Sequence, residues 1–93
     1  MIELRDLHVV QALAEELHFG RAGERLGVTS STVSRRVRAV EEQLGVTLFK
    51  RTSRSVALTD AGRHLAAELP GPLRRLDSVL SSTRRHAGGG WEV

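Results

Sequence analysis

The sequence predicts a mainly α-helical fold: three helices, a two-stranded β hairpin and a long final helix. Through residues 4–44, apolar residues recur every three or four positions, as on the buried face of a helix. Over residues 46–59 the pattern changes to two short apolar stretches around a polar, basic tip, which is typical of a hairpin. Leucines then recur at helical spacing from Leu65 to Leu80, which predicts one more helix.

The first two helices follow from apolar spacing and from glycine signals. We predict the first helix over residues 4–17, with one apolar face made by Leu7, Val10, Leu13, Ala14 and Leu17. A second, short helix is predicted over residues 21–26. Gly20 is a tolerable N-cap for it, and Gly27 ends it at the C′ position.

The third helix is predicted from Thr29, a good N-cap, to Leu44, where Gly45 stops it. Its inward face is made by Val33, Val37, Val40 and Leu44, and its outward face by Ser31, Arg35, Arg38 and Glu42, flanked by Thr32 and Ser34. A short helix, a tight turn and a longer helix with small hydroxyl residues at its start form a helix-turn-helix pattern. Such a start lets the backbone approach DNA, and Arg35 can reach a base edge. An ordinary amphipathic helix with a solvated face would share this periodicity.

Positive charge is concentrated in the middle of the chain. The whole sequence has 14 Lys and Arg against 11 Asp and Glu, a net charge of +3. Residues 21–54 alone contain eight cations and three anions, a net charge of +5. A basic segment between acidic flanks is typical of a protein that binds a polyanion, and Arg favours bidentate contacts to phosphate and guanine. A solvated, Arg-rich surface is the alternative explanation.

The hairpin predicted over residues 46–59 would form a wing. Its apolar stretches contain Leu48 with Phe49 and Val56 with Leu58. We predict Arg51 and Arg54 at the tip, where arginines suit phosphates or an adjacent minor groove. A surface loop whose charges serve solubility would show the same sequence pattern.

The final helix is predicted over residues 59–86, with Thr59 as its N-cap and a kink or break at residues 70–72, Pro-Gly-Pro. Its leucine row is close to a heptad seam and predicts dimerisation through Leu65, Leu69, Leu73, Leu76 and Leu80. Packing on the chain's own domain is the alternative. Residues 87–90 read as a flexible linker, and residues 91–93 are too short to fold alone.

Composition argues against several other classes. The chain has no cysteine, no apolar run long enough to span a bilayer and a charged start unlike a signal peptide, so we expect a cytoplasmic protein. The four histidines show no metal-binding spacing, and no nucleophile or phosphate-loop motif occurs, so we expect no enzyme activity, no cofactor and no metal. Three aromatic residues are too few for a single-stranded nucleic-acid platform.

Several linked blocks resemble the N-terminal DNA-binding region of bacterial LysR-type transcriptional regulators over residues 2–86. The blocks lie at residues 4–7, 14–22, 24–28, 34–35, 44–51 and 58–62. The resemblance implies a winged helix-turn-helix with the third helix in the major groove, the wing at the neighbouring groove, and a linker helix that pairs two subunits. It places Ser30, Ser31, Thr32, Ser34 and Arg35 at bases and phosphates, Arg54 at the wing tip, and His18 and Arg21 at the DNA backbone.

The resemblance also sets the domain expectations. We expect a winged helix-turn-helix over residues 1–58, a dimerisation helix over residues 59–86, and a tail over residues 87–93 that opens a further domain. Members of the family carry this further domain, which binds a small-molecule effector. Because the sequence stops at Val93, we expect this chain to be a fragment. Ser30-Ser31 stands where the family often has Gln-Pro, so a Gln for an adenine contact is absent. We predict sequence-specific binding of double-stranded DNA as a homodimer; the alternative is a helical dimerisation or protein-interaction module.

Overall fold

The structure, a computed structural model, describes residues 1–90, with side chains described through His86. The described residues form, in chain order, α1 (Leu4–Glu16), α2 (Phe19–Leu26), α3 (Ser30–Leu44), β1 (Phe49–Arg51), β2 (Val56–Leu58), α4 (Asp60–Glu68) and α5 (Pro70–Gly90). The two strands pair antiparallel, with Phe49 opposite Leu58 and Arg51 opposite Val56. The predicted fold class, mainly α with a two-stranded hairpin, is confirmed.

One hydrophobic core joins the first three helices to the hairpin and to the start of α5. The valines of the inward face of α3 (Val33, Val37 and Val40) are fully buried, as predicted. Leu48 and Phe49 from the hairpin and Leu13 from α1 complete its centre. Burial of each such side chain contributes about 1.5–3 kcal/mol, so this apolar stripe is a main source of the domain's stability.

Two residues predicted on inward faces are exposed instead. Leu17 follows the last turn of α1 in a left-handed conformation, with φ 49°, and it lies outside the core. Leu44 is the last residue of α3, next to Gly45 with φ 72°, and is also exposed. Both predictions are wrong for the same reason: the chain turns away from the core at these helix ends.

Helix starts are held by side-chain caps. The hydroxyls of Thr29 and Thr59 accept hydrogen bonds from the N–H groups of Thr32 at 3.1 Å and Gly62 at 3.0 Å, so both predicted N-caps are confirmed. The predicted N-cap Gly20 is wrong, because α2 begins at Phe19 and its N-cap is His18. The Nδ1 atom of His18 accepts a hydrogen bond of 3.0 Å from the Arg21 N–H, which satisfies an otherwise free donor.

The final helix is divided at the Pro-Gly-Pro sequence, as predicted. α4 ends at Glu68, and α5 begins at Pro70, a residue that has no N–H to lose at a helix start. The flexible linker predicted over residues 87–90 is wrong, because α5 continues to Gly90. Extension of an existing helix adds a hydrogen bond per residue without a new nucleation cost. The tail at residues 91–93 lies outside the described residues.

Gly62 lets α4 approach the hairpin closely. A Cβ at this buried position would overlap the carbonyl oxygen of Leu48. The same junction contains a hydrogen bond of 3.0 Å from the Thr59 N–H to that oxygen and one of 2.6 Å from the Thr59 hydroxyl to the Thr47 carbonyl. The wing and α4 are therefore joined through backbone groups that leave no room for a side chain.

We predict that Gly62→Ala lowers the free energy of unfolding by about 1–3 kcal/mol, because the new methyl group must displace backbone. Chemical denaturation checks this value. The matched control is Gly71→Ala, where a Cβ meets nothing within 4 Å. The control should be neutral or stabilising, by up to about 1 kcal/mol. Equal effects of the two substitutions would contradict the close approach at Gly62.

Candidate nucleic-acid interface

The exposed face of α3 forms the wall of an open groove of about 710 Å³. Eight residues line it: Phe19, Ser30, Ser31, Ser34, Arg35, Arg38, Ala39 and Glu42. Five of the ten predicted DNA-binding residues therefore lie together, all of them on α3. The groove combines hydroxyl donors with two arginines, so its chemistry suits an anionic ligand with hydrogen-bond acceptors.

A second groove of about 300 Å³ lies between the start of α2 and the wing. His18 and Arg54 line it from opposite sides, together with the rest of the hairpin tip, residues 52–55. Phe19 and Ser30 border both grooves, so the two form one continuous surface from α3 to the wing. Hereafter this surface is called the basic face.

The tip of the wing is closed by hydrogen bonds between Thr52 and Ser55. The Thr52 N–H donates to the Ser55 carbonyl at 2.9 Å, and the Ser55 N–H donates to the Thr52 hydroxyl at 3.0 Å. Arg54 lies within this turn and is exposed, at the position predicted for it. The tip therefore presents Arg54 on a hydrogen-bonded turn rather than on an irregular loop.

Arg51 does not lie at the tip, so that prediction is wrong. It is the last residue of β1, and its guanidinium is packed against α3 and α2. Its Nη1 donates a hydrogen bond of 2.7 Å to the Ser34 hydroxyl, and its Cζ lies 4.9 Å from the centre of the Phe19 ring. Side chains alternate between the two faces of a strand, so Arg51 lies on the same face of β1 as the buried Phe49. Arg54 lies beyond the strand, in the exposed turn.

Glu41 joins the wing to α3. One of its carboxylate oxygens accepts hydrogen bonds from the N–H groups of Leu48 at 2.7 Å and Phe49 at 3.2 Å. The other oxygen lies 3.6 Å from Nη2 of Arg51. A partly buried carboxylate with these partners satisfies two backbone donors that the hairpin leaves unpaired. Sequence reasoning missed this role because Glu41 sits beside the exposed Glu42 with nothing to distinguish the two.

The charge environment of Arg51 reflects its packing. Burial lowers the pKa of Arg51; the Glu41 carboxylate opposes this lowering, whereas the neighbouring Arg38 adds to it. The guanidinium remains charged at any physiological pH, because its ordinary pKa lies far above that range. Arg51 is therefore a charged guanidinium held in the packing between the wing and α3.

The remaining predicted residues occupy other places. The Thr32 hydroxyl turns back to the cap of α3, where the Thr29 hydroxyl donates to it at 3.0 Å, and Thr32 does not line the groove. Arg21 is exposed on the first turn of α2, and its N–H is used in the His18 cap.

Phe19 borders both grooves and was not among the predicted site residues. The sequence gives little indication of this position, because an isolated aromatic residue is usually interpreted as part of the core.

Ion pairs divide the eight cations of residues 21–54 into two sets. Arg36 pairs with Asp6 at 3.2 Å and fixes α3 to α1, Arg25 pairs with Glu15 at 2.6 Å, and Arg51 pairs with Glu41. Within the described part of the chain, no ion pair engages the other five, which are Arg21, Arg35, Arg38, Lys50 and Arg54. Three of these five, Arg35, Arg38 and Arg54, line the two grooves of the basic face.

The five leucines predicted for dimerisation also fall into two sets, one buried and one exposed. Leu69 and Leu73 are buried in this chain's own core, and Leu65 packs against it, so the prediction that all five are available to a second copy is wrong. Leu76 and Leu80 are 36% and 44% exposed, beside Val79 at 44%. The first turns of α4 and α5 are held by the domain, and only the outer part of α5 carries an uncovered apolar stripe.

Among residues 1–90, no group of three or more His, Cys, Asp or Glu is placed to hold a metal ion. Over the same residues, no helix combines the length and the apolar character that crossing a membrane requires.

Comparison with known proteins identifies the family. Residues 4–63 match the family described as bacterial regulatory helix-turn-helix protein, lysR family. The chain belongs to the LysR family. The HTH-type transcriptional regulator YnfL of Escherichia coli K12 is 42% identical over 93 residues, which is 99% of this chain and 31% of YnfL. This LysR-family chain therefore spans less than a third of the length of that relative.

Solved structures of other LysR-family proteins share the fold. The BenM DNA-binding domain, in complex with benA site 1 DNA, superposes with a TM-score of 0.84 at 34% identity, covering 94% of this chain and 98% of that one. The CbnR DNA-binding domain, also in complex with DNA, superposes with a TM-score of 0.84 at 30% identity, covering 91% and 98%.

We predict that Glu41→Ala lowers the free energy of unfolding by about 2 kcal/mol, because it leaves two partly buried N–H groups without an acceptor. Thermal or chemical denaturation measures the loss, and faster amide hydrogen exchange at Leu48 and Phe49 locates it. Glu42→Ala, at the exposed neighbouring position, is the control and should change stability by less than about 0.5 kcal/mol. Unchanged exchange at the two amides in Glu41→Ala would contradict the assigned role.

Proposed function

We propose that this LysR-family chain binds double-stranded DNA in a sequence-specific manner, with α3 in the major groove and the wing at the adjacent minor groove. The observation that carries the proposal is the basic face, where the α3 groove and the wing tip form one surface. An α-helix fits the width of the major groove, and an exposed arginine at a wing tip suits the narrower groove beside it. We propose no catalytic step for this chain.

Each part of the basic face has a proposed role. Arg35, one turn into α3, reads a base edge, while Ser30 and Ser31 at the helix start set the register on phosphates. Arg54 anchors the wing, and His18 and Arg21 contact the DNA backbone from the start of α2. Arg38 adds positive charge farther along α3. Thr32 acts through the cap of α3 rather than by contact.

The DNA complexes of BenM and CbnR support this proposal, because they show that domains of this fold and family bind duplex DNA. This chain covers 31% of the length of YnfL, and we propose that it is one part of a longer regulator. We propose that residues 59–86 link a DNA-binding domain to an effector-binding domain, and that a small-molecule effector acts only through the latter. We further propose that the regulator works in the bacterial cytoplasm, at the nucleoid.

We also propose that two copies pair through the outer part of α5. Leu76, Val79 and Leu80 lie on an exposed apolar stripe, continuous with the buried Leu69 and Leu73. Burial of this stripe against a second copy would remove it from water and place two α3 helices on successive major grooves, about 34 Å apart along one face of the duplex.

Salt dependence tests the proposed division between phosphate contacts and base contacts. Arg35 is assigned to a base edge, which leaves Arg21, Arg38, Lys50 and Arg54 for phosphates. If all four contact phosphates, log K should fall with log salt with a slope of about −3.6 per bound chain. Arg54→Ala should weaken binding to all duplexes alike and make this slope about 0.9 smaller in magnitude. Titration of labelled duplexes at several salt concentrations measures both.

Arg35→Ala should instead cost about 1–3 kcal/mol on the preferred site and relax the preference at one base pair. Selection from a randomised duplex pool measures the preference before and after substitution. Arg74→Ala, which removes one exposed charge from α5, is the matched control and should alter neither quantity. An Arg35→Ala variant that keeps both affinity and preference would exclude base reading by Arg35.

Dimerisation is tested by Leu80→Glu, which places a charge on the exposed apolar stripe. We expect a shift from dimer to monomer in sedimentation equilibrium, with melting of the monomer fold unchanged because Leu80 lies outside the core. Ser78→Glu adds the same charge on the opposite side of α5 and should leave the dimer intact. A dimer unaffected by Leu80→Glu would place the contact elsewhere.

A further inference from the structure

We propose that Arg51 is a positioning residue that commits the Ser34 hydroxyl to donating its hydrogen to an acceptor atom on DNA. The inference rests on the proposed function and goes beyond it, because it assigns a direction to one hydrogen bond of the interface. The chemical class selected is a hydrogen-bond acceptor, either a phosphate oxygen or a base-edge atom in the major groove.

The direction of the bond between these two residues is fixed by chemistry. Arg51 Nη1 lies 2.7 Å from Ser34 Oγ, and a guanidinium has donors and no acceptor. The Ser34 oxygen must therefore be the acceptor, and the positive charge makes this bond stronger than a neutral one. One lone pair of the hydroxyl is occupied, and its O–H hydrogen is left for another partner.

No side chain or backbone group in the described part of the chain accepts that hydrogen. A serine within a helix commonly donates to the carbonyl four residues earlier, but Ser34 forms no such bond to the Ser30 carbonyl. Ser34 lines the α3 groove beside Arg35 and Arg38, so the free hydrogen is at the surface that the proposed function gives to DNA.

Arg51 is itself held on several sides, which makes its effect on Ser34 directional. The Phe19 ring lies under its guanidinium at 4.9 Å, and Glu41 faces its Nη2 at 3.6 Å. Its side chain is only 21% exposed. A donor fixed in this way keeps the hydroxyl oriented before DNA arrives, so less rotational freedom is lost on binding.

The committed hydroxyl discriminates between groups on DNA. It can donate to a phosphate oxygen, to purine N7, to guanine O6 or to thymine O4, all of which are acceptors. The amino groups of cytosine and adenine are donors, and they can reach only the second lone pair of the oxygen. The bond from the charged Arg51 makes that oxygen a poorer acceptor, so an amino group is the weaker partner. A serine whose hydroxyl could turn freely would accept from those amino groups as readily as it donates to the acceptors.

The experiment begins with the duplex that this chain enriches from a randomised pool. Analogues then remove or weaken one acceptor at a time: 7-deazapurine for N7, 6-thioguanine for guanine O6, 4-thiothymine for thymine O4, and methylphosphonate for a phosphate oxygen. We expect one analogue position to weaken binding of the wild-type chain by about five- to tenfold through loss of the Ser34 contact. A base analogue identifies a base-edge partner, and a methylphosphonate identifies a phosphate.

Two variants test whether this loss of affinity depends on Arg51 and Ser34. In Ser34→Ala the penalty at that position should disappear, because the donor is absent. Arg51→Met keeps the length of the side chain but has no donor. In this variant the penalty should fall to less than about twofold, because the hydroxyl can turn and donate to the Ser30 carbonyl instead. Arg51→Lys, a donor-only cation, should restore part of it. Melting of each variant confirms that it is folded at the assay temperature.

A merely structural role for Arg51 predicts a different result. Glu41→Gln is the matched control, because it weakens the attachment of the wing while Arg51 still faces Ser34. It should lower affinity for all duplexes and keep the position-specific penalty. If Arg51→Met also kept that penalty in full, or if no analogue position depended on Ser34, the inference would be overturned. Failure of the wild-type chain to bind any duplex would instead overturn the proposed function.

Discussion

The attachment of the wing to α3 is the constraint on which the basic face depends. Glu41 accepts hydrogen bonds from two hairpin N–H groups, and Arg51 crosses from the hairpin to Ser34 and Phe19. The buried Leu48 and Phe49 anchor the base of the hairpin, and these polar contacts hold the hairpin against α3. They matter because an isolated hairpin of three-residue strands is marginal in water. With them, Arg54 and Arg35 belong to one surface that exists before any ligand is bound.

The same contacts show how the chain uses its arginines in two ways. Arg36 and Arg51 are partly buried, each beside one carboxylate, and they connect elements that are distant in sequence. Exposed arginines such as Arg35 and Arg54 have no such partner in the described residues. A partly buried pair is strongly destabilised when one partner is lost, whereas an exposed arginine can be exchanged with little effect on folding. The two sets therefore separate residues that build the domain from residues that we propose contact DNA.

The features that the sequence predicted well are local ones. The caps Thr29 and Thr59, the helix end at Gly27 and the division at Pro70 each depend on a few neighbouring residues, and all are present. The valine stripe of α3 was predictable because helical periodicity determines which residues share a face.

The features that it did not predict depend on tertiary packing. Whether Arg51 points outward depends on hairpin register, and whether Leu69 and Leu73 are free depends on how α5 docks against the first three helices. The His18 cap was missed because histidine is an uncommon N-cap, and Gly20 is the residue that the usual preferences select. Glu41 carries no local signal at all, because its partners are backbone groups of a different element.

Amide chemical-shift mapping tests the central claim most directly. An isotopically labelled chain is titrated with its enriched duplex at low salt, and the shift of every assigned amide is followed. We expect the largest changes over residues 30–38 and 52–55, small changes over residues 74–86, and a single set of bound signals for α3 and the wing. Changes concentrated on α5, or on α3 with the wing unaffected, would contradict it.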